Sequence, residues 1–422
     1  MQRLLLALYL FICCSLSAQE TMIIASPPCF ETSLENFIIQ KQSQHIDCKL
    51  LLVQDTDIYT IKSQIDSLYQ LYDANYLLLV GDYRHIPSFP LDEAYADAYY
   101  VCTDLDSLPY MSVGRFSVET STELRYVIEK NNIPFEIKTA STIASNQLSE
   151  LTGKQDFEKI RQLSSLLQQK GITTTKEFFD GSQGNLDAVG NPTASDIINA
   201  INENCDLLLY AGHGDYDGWQ TSGFTSDHIQ QLQNTTFPII FSASCLNGNF
   251  AQRTCFAECW QRSSCQEKPT GAKALFMSSA FSDWDAILES LTIVFDSMTN
   301  EISLGDIWKI SHIYMKKNLL RKKDANTWLL FGDPSAKISF SKNSIASQNP
   351  SFFSIYPNPA KNFFMLQTEN FTASTLEIYN FNGECLQKIQ LSAPDETIDI
   401  STLPAGFYVL KSGSRTIVFQ KE

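Results

Sequence analysis

The sequence predicts an α/β fold, a mostly parallel sheet flanked by helices, followed by a small all-β sandwich. Short apolar runs bounded by turn residues alternate with stretches of helical periodicity over most of the chain. Two of those runs are too short for typical helices and read as fully buried strands. One is Leu207–Ala211, followed by Gly212, His213 and Gly214; the other starts at Pro238 and runs into Ala243, Ser244 and Cys245. After a Ser- and Asn-rich stretch at 341–351 the texture changes to short alternating runs, as in an antiparallel sandwich.

The elements follow in order. Arg3, the apolar run Leu4–Cys14 and the small-residue exit Ser15–Ala18 make an export signal, with cleavage expected after Ala18. The apolar run is well short of the ~20 residues that a membrane span needs. Thr21–Ser26 is a strand, Leu34–Lys41 a helix, Leu50–Val53 a strand and Ile58–Tyr72 a helix. Tyr76–Val80 is a buried strand that stops at Gly81-Asp82, and Tyr110–Phe116 is another. A helix over Glu119–Asn131 has Ser117 or Thr120 as its cap. A second α/β cycle has a strand in Lys138–Ser145 and a helix over Asp156–Lys170, whose Ile160, Leu163, Leu166 and Leu167 fall on one face. Asp180–Pro192 reads as a loop, and Thr193–Asn204 as a helix capped by Thr193 or Ser195. The His213 and Cys245 strands come next, then a strand over Lys273–Ser278 and a helical region from Asp285 to Lys323. Thr327–Pro334 closes the unit, giving 20–340 as one domain divisible at about 135 into subdomains 20–135 and 136–340. Beyond the linker, 352–422 carries sandwich strands in Phe363–Thr368, Thr375–Asn380, Thr397–Ile400, Phe407–Lys411 and Thr416–Phe419.

Composition narrows the function. The 422 residues are 44% hydrophobic and 12% aromatic, enough for real cores. A net charge of −16, from 31 basic and 47 acidic residues, argues against nucleic acid and disfavours an anionic membrane surface. Nine of the eleven cysteines lie beyond the signal, and an odd number in an exported chain implies a free thiol, for which Cys245 is the candidate. Cys255, Cys259 and Cys265 lack the paired spacing and nearby His of a zinc site, so disulfides and buried thiols both stay open.

Parallel strands joined by a crossover would bring His213 and Cys245 to one carboxyl edge of the sheet, where open α/β folds keep their sites. A thiol beside an imidazole is the unit of cysteine nucleophile catalysis. His213 is then the general acid/base and Cys245 the nucleophile, with the N–H groups of Gly214 and Cys245 as oxyanion donors.

The apolar run ending in His-Gly, paired with the one ending in Ala-Ser-Cys, resembles the caspase-like clan of cysteine peptidases, and within it the gingipain family. The similarity runs from Tyr76 to Phe340 through LLLVGD (Leu77–Asp82), VGRF (Val113–Phe116), YAGHG (Tyr210–Gly214), CLNGNF (Cys245–Phe250), CFAE (Cys255–Glu258), KPTG (Lys268–Gly271) and TWLLFGDPS (Thr327–Ser335). The resemblance implies a caspase-like sheet and cleavage after Arg or Lys. It implies a substrate pocket walled by Trp284, with Asp156 at the position used for arginine and Asp283 at one associated with lysine. It allows a structural calcium ion, for which no loop has EF-hand spacing, and it implies no organic cofactor. Where the family has an acidic residue orienting the histidine, after a strand like Ile143-Ala144-Ser145, this chain has Gln147. An amide orients an imidazole without stabilising its charged form.

The tail, with FSIYPNPA at Phe353–Ala360, LEIYNFNG at Leu376–Gly383 and ISTLPAGFYVL at Ile400–Leu410, resembles the sorting domain of the type IX secretion system of Bacteroidetes. It implies secretion or attachment at the outer cell surface, with the secretion machinery as partner. The combined expectation is an exported cysteine endopeptidase acting on peptides or proteins. The alternatives are an inactive surface protein that keeps the fold for adhesion or assembly, and a transpeptidase-like processing enzyme.

Overall fold

The computed structural model describes residues 19–149, 152–181, 190–298, 301–340, 353–358, 360–368, 375–380, 384–412 and 415–421. The expected signal at 1–18, most of the loop expected at 180–192 and the linker up to residue 351 fall largely or wholly outside these.

Two sheets organise the N-terminal part. Strands β1 (Glu20–Ser26), β2 (Ile46–Leu52), β3 (Tyr76–Val80) and β4 (Ser112–Phe116) form an all-parallel sheet in the order β2-β1-β3-β4. Helices α1 (Glu31–Ser43), α2 (Ile58–Tyr72) and α3 (Ser121–Asn131) connect and cover it. Leu77, Leu78 and Leu79 are all buried, so both faces of β3 are covered, and burying each leucine contributes about 1.5–3 kcal/mol.

The second sheet contains β5 (Thr139–Ala144), β6 (Thr173–Phe179), β7 (Leu207–Ala211), β8 (Ile239–Ala243), β9 (Ala274–Ser278) and β10 (Trp328–Phe331). Its order is β10-β9-β8-β7-β5-β6, parallel except that β10 runs antiparallel to β9. The chain first steps outward from β5 to β6 and then returns to build β7, β8 and β9 on the other side of β5. The strand order therefore reverses beside β5 and β7, the crevice where such sheets hold ligands. Helices α4 (Asp156–Gln169), α5 (Ala194–Asn202), α6 (Phe256–Arg262), α7 (Trp284–Ser297), α8 (Leu304–Lys317) and α9 (Lys322–Thr327) complete the layers. A small sheet of Phe135–Ile137, Lys337–Phe340 and Glu301–Ser303 joins early and late chain. Where the two large sheets approach, a Cβ on Gly114 of β4 would lie 2.3 Å from the carbonyl oxygen of Gly332, which only glycine tolerates.

Several sequence motifs turn out to hold this architecture. Arg115 of VGRF is buried and forks onto Asp97, with Nε and Nη2 at 2.8 and 2.7 Å, while Nη1 donates to the carbonyls of Gly81 and Ile86. Glu258 of CFAE accepts from Ser117 at 2.7 Å and from the Cys255 N–H at 2.9 Å, at the start of α6. Gly271 of KPTG adopts φ +78°, and a Cβ there would meet the Trp260 carbonyl oxygen at 2.4 Å.

The tail forms a sandwich from β11 (Phe353–Tyr356), β12 (Phe363–Thr368), β13 (Thr375–Asn380), β14 (Cys385–Gln390), β15 (Asp395–Asp399), β16 (Gly406–Ser412) and β17 (Arg415–Lys421). Its antiparallel sheets β11-β12-β15 and β14-β13-β16-β17 share a core of Phe364, Leu366, Leu376, Ile378, Leu410 and Phe419.

The differences from the sequence reading have local causes. The helical region expected over 285–323 is broken into α7, α8 and the start of α9, the first break arising because the C-cap Met298 is extended, Glu301–Ser303 pairs as a strand, and the Ser303 hydroxyl caps α8 through the Asp306 N–H at 2.9 Å. Strands β6 and β14 gave no apolar run: β6 is mostly exposed until Phe178 and Phe179, and β14 alternates between half-buried and exposed residues. Thr120, not Ser117, caps α3, and Thr193, not Ser195, caps α5. All nine cysteines among the described residues are free thiols.

Candidate active site

The His213 strand and the Cys245 strand lie side by side. In the parallel register of β7 and β8, Ala211 pairs with Ala243, and β5 brings Ala144 opposite Ala211 on the other side. His213 and Cys245 each follow their paired alanine by two residues, so both emerge at the same level of the carboxyl edge.

The His loop leaves the sheet through Gly212, whose φ of +150° favours glycine; a Cβ there would press on Ser145 at 3.2 Å. Two bonds pin the backbone of His213: its carbonyl accepts from the Tyr210 hydroxyl at 2.5 Å and from the Gln220 N–H at 3.0 Å. The imidazole is exposed and packs nearly perpendicular to the Trp284 indole, with centroids 4.9 Å apart and planes at 80°. Among the described residues, the ring of His213 has no hydrogen-bond partner.

The Cys loop turns sharply at Leu246, with φ +61°, and Leu246 donates to Ala280 at 2.9 Å. The Cys245 thiol is half-buried and donates to the Ser282 carbonyl at 3.6 Å. Burial raises its pKa above the ordinary thiol value. The thiol is therefore protonated at neutral pH in this geometry.

Asn247 ties the two loops together and had no role in the sequence reading. Its Nδ2 donates to the carbonyls of Asp215 and Gly218 at 2.6 and 3.1 Å, both in the His loop. Its Oδ1 accepts from Ser242 and Ser244 at 2.9 and 2.5 Å. Behind it, Trp219 donates to Ser242 at 2.8 Å and stacks on Tyr210 at 4.6 Å. Gly214 fits the same junction: a Cβ would lie 3.0 Å from Asn247 Nδ2 and from Ser244 Oγ, and 3.1 Å from the Cys245 carbonyl oxygen. The His and Cys loops are thus in direct contact.

Next to the pair, Gln147, Leu148, Ser149, Asp156, Ser282, Asp283, Trp284 and Asp285 line a cleft of about 310 Å³. The three residues expected in the pocket are therefore together, at the N-termini of α4 and α7. Each carboxylate, however, is already answered from within the chain. Asp156 is buried; it accepts from Ser145 at 2.5 Å and from the Trp284 indole at 3.1 Å, and pairs with Lys159 at 3.3 Å. The same Lys159 ammonium binds Asp285, which also accepts from Ser149. Asp283 caps α7 through the Asp285 N–H and pairs with Arg321 at 2.7 Å. Lys159 and Asp285 had no part in the sequence expectation, although Asp156 and Lys159, three apart on α4, fall on one helix face.

Gln147 lies at the rim of this cleft with its side chain exposed, not on His213. Its backbone is held by Ser145 and by the Asp156 N–H, and the ring it was expected to orient packs on Trp284 instead. Among the described residues, no group of three or more His, Cys, Asp and Glu is arranged to hold a metal ion.

Comparison with known proteins agrees with this architecture. The model of peptidase family C25 matches residues 15–339, and that of the secretion system C-terminal sorting domain matches 354–422. The chain is 28% identical over 344 residues to gingipain R2 of Porphyromonas gingivalis, an alignment covering 74% of this chain and 45% of that protein. Gingipain R1 of the same organism is likewise 28% identical, with 34% of its length covered. The chain thus spans less than half the length of the curated relatives it matches. Among solved structures, the complex of the Porphyromonas gingivalis RgpB pro- and mature domains superposes with a TM-score of 0.68 at 22% identity, covering 95% of this chain and 99% of that one. The Arg-specific cysteine proteinase gingipain R gives 0.67 at 21% identity, covering 96% and 98%.

Proposed function

The chain belongs to peptidase family C25, and on that basis we propose that it is an exported cysteine endopeptidase in which Cys245 is the nucleophile and His213 the general acid/base. One observation carries the assignment: the two residues stand at the same level past paired alanines on adjacent parallel strands. His213 takes the thiol proton as Sγ attacks the substrate carbonyl, forming the C–S bond and a tetrahedral oxyanion. The N–H groups of Cys245 and Gly214 receive that oxygen. The C–N bond then breaks, the leaving amine takes the proton from His213, and water hydrolyses the thioester with His213 as base. Its backbone is fixed by the Tyr210 hydroxyl and its ring packs against the Trp284 indole, which together set where the imidazole lies. Substrates are peptides or proteins. A solved neighbour is an Arg-specific cysteine proteinase; in this chain the cleft carboxylates already pair with Lys159 and Arg321.

The C-terminal sorting domain marks the protein for the type IX route, to the outer surface of a Bacteroidetes-type bacterium or beyond. Among the described residues no helix is long and apolar enough to cross a membrane.

The full chain and its Cys245→Ala variant, treated with iodoacetamide and with a mixed fluorogenic peptide library under reducing conditions, test the assignment. Cleavage that disappears with Cys245→Ala, and alkylation at Cys245, are expected. No cleavage and no label at Cys245 would mean that the fold serves adhesion or assembly instead.

A further inference from the structure

The cleft beside His213 carries its own cation. The Lys159 side chain is 5% exposed, and its ammonium bridges Asp156, 1% exposed, and Asp285, 11% exposed. The carboxylate oxygens are also engaged by neutral donors: Trp284 on Oδ1 and Ser145 on Oδ2 of Asp156, and Ser149 on Oδ2 of Asp285. An incoming guanidinium or ammonium would have to share these oxygens with the donors already bonded to them. It would also lie beside a buried like charge, in a medium where such repulsion is poorly screened. The remaining acid, Asp283, is half-buried and holds Arg321. The accessible rim is uncharged: Gln147 and Leu148, which line the cleft, are exposed, Leu148 by 61%, and Phe281, next to the lining residue Ser282, is 64% exposed.

We propose that Lys159 is the specificity-determining residue of this cleft: it fills the acidic floor from within the chain, so the cleft takes an uncharged substrate side chain and rejects arginine and lysine. This rests on the peptidase reading above only for its turnover readout. In that reading Asp156 is a structural acceptor that holds Trp284 against His213, and Lys159 is its counter-ion.

The test uses the full chain and peptides that differ only at the residue before the scissile bond, namely Leu, Gln, Lys or Arg. Wild type should cut the Leu and Gln peptides at least about tenfold better in kcat/KM than the Arg and Lys peptides. Lys159→Ala leaves Asp156 and Asp285 buried without a cation, so it is paired with Lys159→Ala/Asp285→Ala, which removes the second acid as well. In either variant the ratio should shift toward Arg by about tenfold or more, because a vacant buried carboxylate favours a cation. Isothermal titration of the same peptides onto each chain carrying Cys245→Ala reads the preference without turnover. Tighter binding or faster cleavage of the Arg or Lys peptide by wild type overturns the proposal, including by exchange of Arg321 on Asp283. So does an unchanged preference in both Lys159 variants. If wild type cuts no peptide, the peptidase reading fails, and the titration alone still decides the role of Lys159.

Discussion

The indole nitrogen of Trp284 donates to Asp156 at 3.1 Å, and the same indole packs nearly perpendicular to the His213 ring at 4.9 Å. A buried carboxylate therefore sets the position of an aromatic wall that in turn limits where the imidazole can lie. Trp284→Phe keeps a ring beside His213 but removes the donor. Removing one of the hydrogen bonds to Asp156 should cost about 1–2 kcal/mol of stability. Looser placement of His213 should lower kcat/KM by about tenfold. Thermal unfolding and steady-state kinetics on one preparation check both; a variant with unchanged kcat/KM would remove Trp284 from the positioning of His213.

Asn247 uses all its polar atoms to join the two loops. Asn247→Ala strands the carbonyls of Asp215 and Gly218 together with the Ser242–Ser244 pair. The expected loss is about 2–4 kcal/mol, measured as a lower urea midpoint at constant slope. Asn247→Asp should not rescue it, because a carboxylate would face two carbonyl oxygens.

Gly214→Ala places a methyl group 3.0 Å from Asn247 and Ser244 and 3.1 Å from the Cys245 carbonyl. The His loop must withdraw by a few tenths of an ångström. A fall in kcat of about ten- to a hundredfold is expected, with KM changing less. Equal falls in kcat and stability across a Gly214 series would instead indicate general unfolding.

Burial raises the Cys245 thiol above its ordinary value, and the thiol donates to Ser282. Only the thiolate is alkylated, so less of it is present at neutral pH than in an exposed cysteine. The rate of iodoacetamide labelling at Cys245 should keep rising with pH to about 9 and beyond. A plateau near pH 5–6 would instead indicate a preformed thiolate–imidazolium pair with His213.

His312, fully buried on α8 against Trp308, has its pKa driven well below the ordinary value, first by burial and then by nearby Lys316, with a backbone contact at Ala325 acting the other way. Among the described residues, neither ring nitrogen has a partner in bonding geometry. As pH falls through about 6.5 the unfolded chain takes up a proton that the folded chain refuses, so stability falls by up to about 1.4 kcal/mol per pH unit. His312→Phe should flatten that dependence relative to wild type. Denaturant midpoints of both proteins at pH 7.5 and 5.5 measure the difference, and parallel lines would refute it.

The sequence by itself determined the strands that matter most. Tyr76–Val80, Leu207–Ala211 and the run into Ala243 are apolar on both faces, and a five-residue run buried on both sides has few alternatives to a central parallel strand. His213 and Cys245 are read from the same pattern, and the register of the paired strands brings both to one edge of the sheet; Trp284 and Asp156, read from the family resemblance, line one cleft. Edge strands β6 and β14 were not legible, because an exposed face removes the apolar signal. Only the tertiary structure decided what the site residues do to one another. Asn247 acts across the 32 positions that separate it from Asp215, and Lys159 meets Asp285 across 126. Gln147 follows the expected strand in sequence, yet its side chain is exposed, and the His213 ring packs on Trp284. Hydrophobic periodicity records which face of an element is buried. It does not record which buried charge finds which partner, and in this cleft that pairing governs the electrostatics.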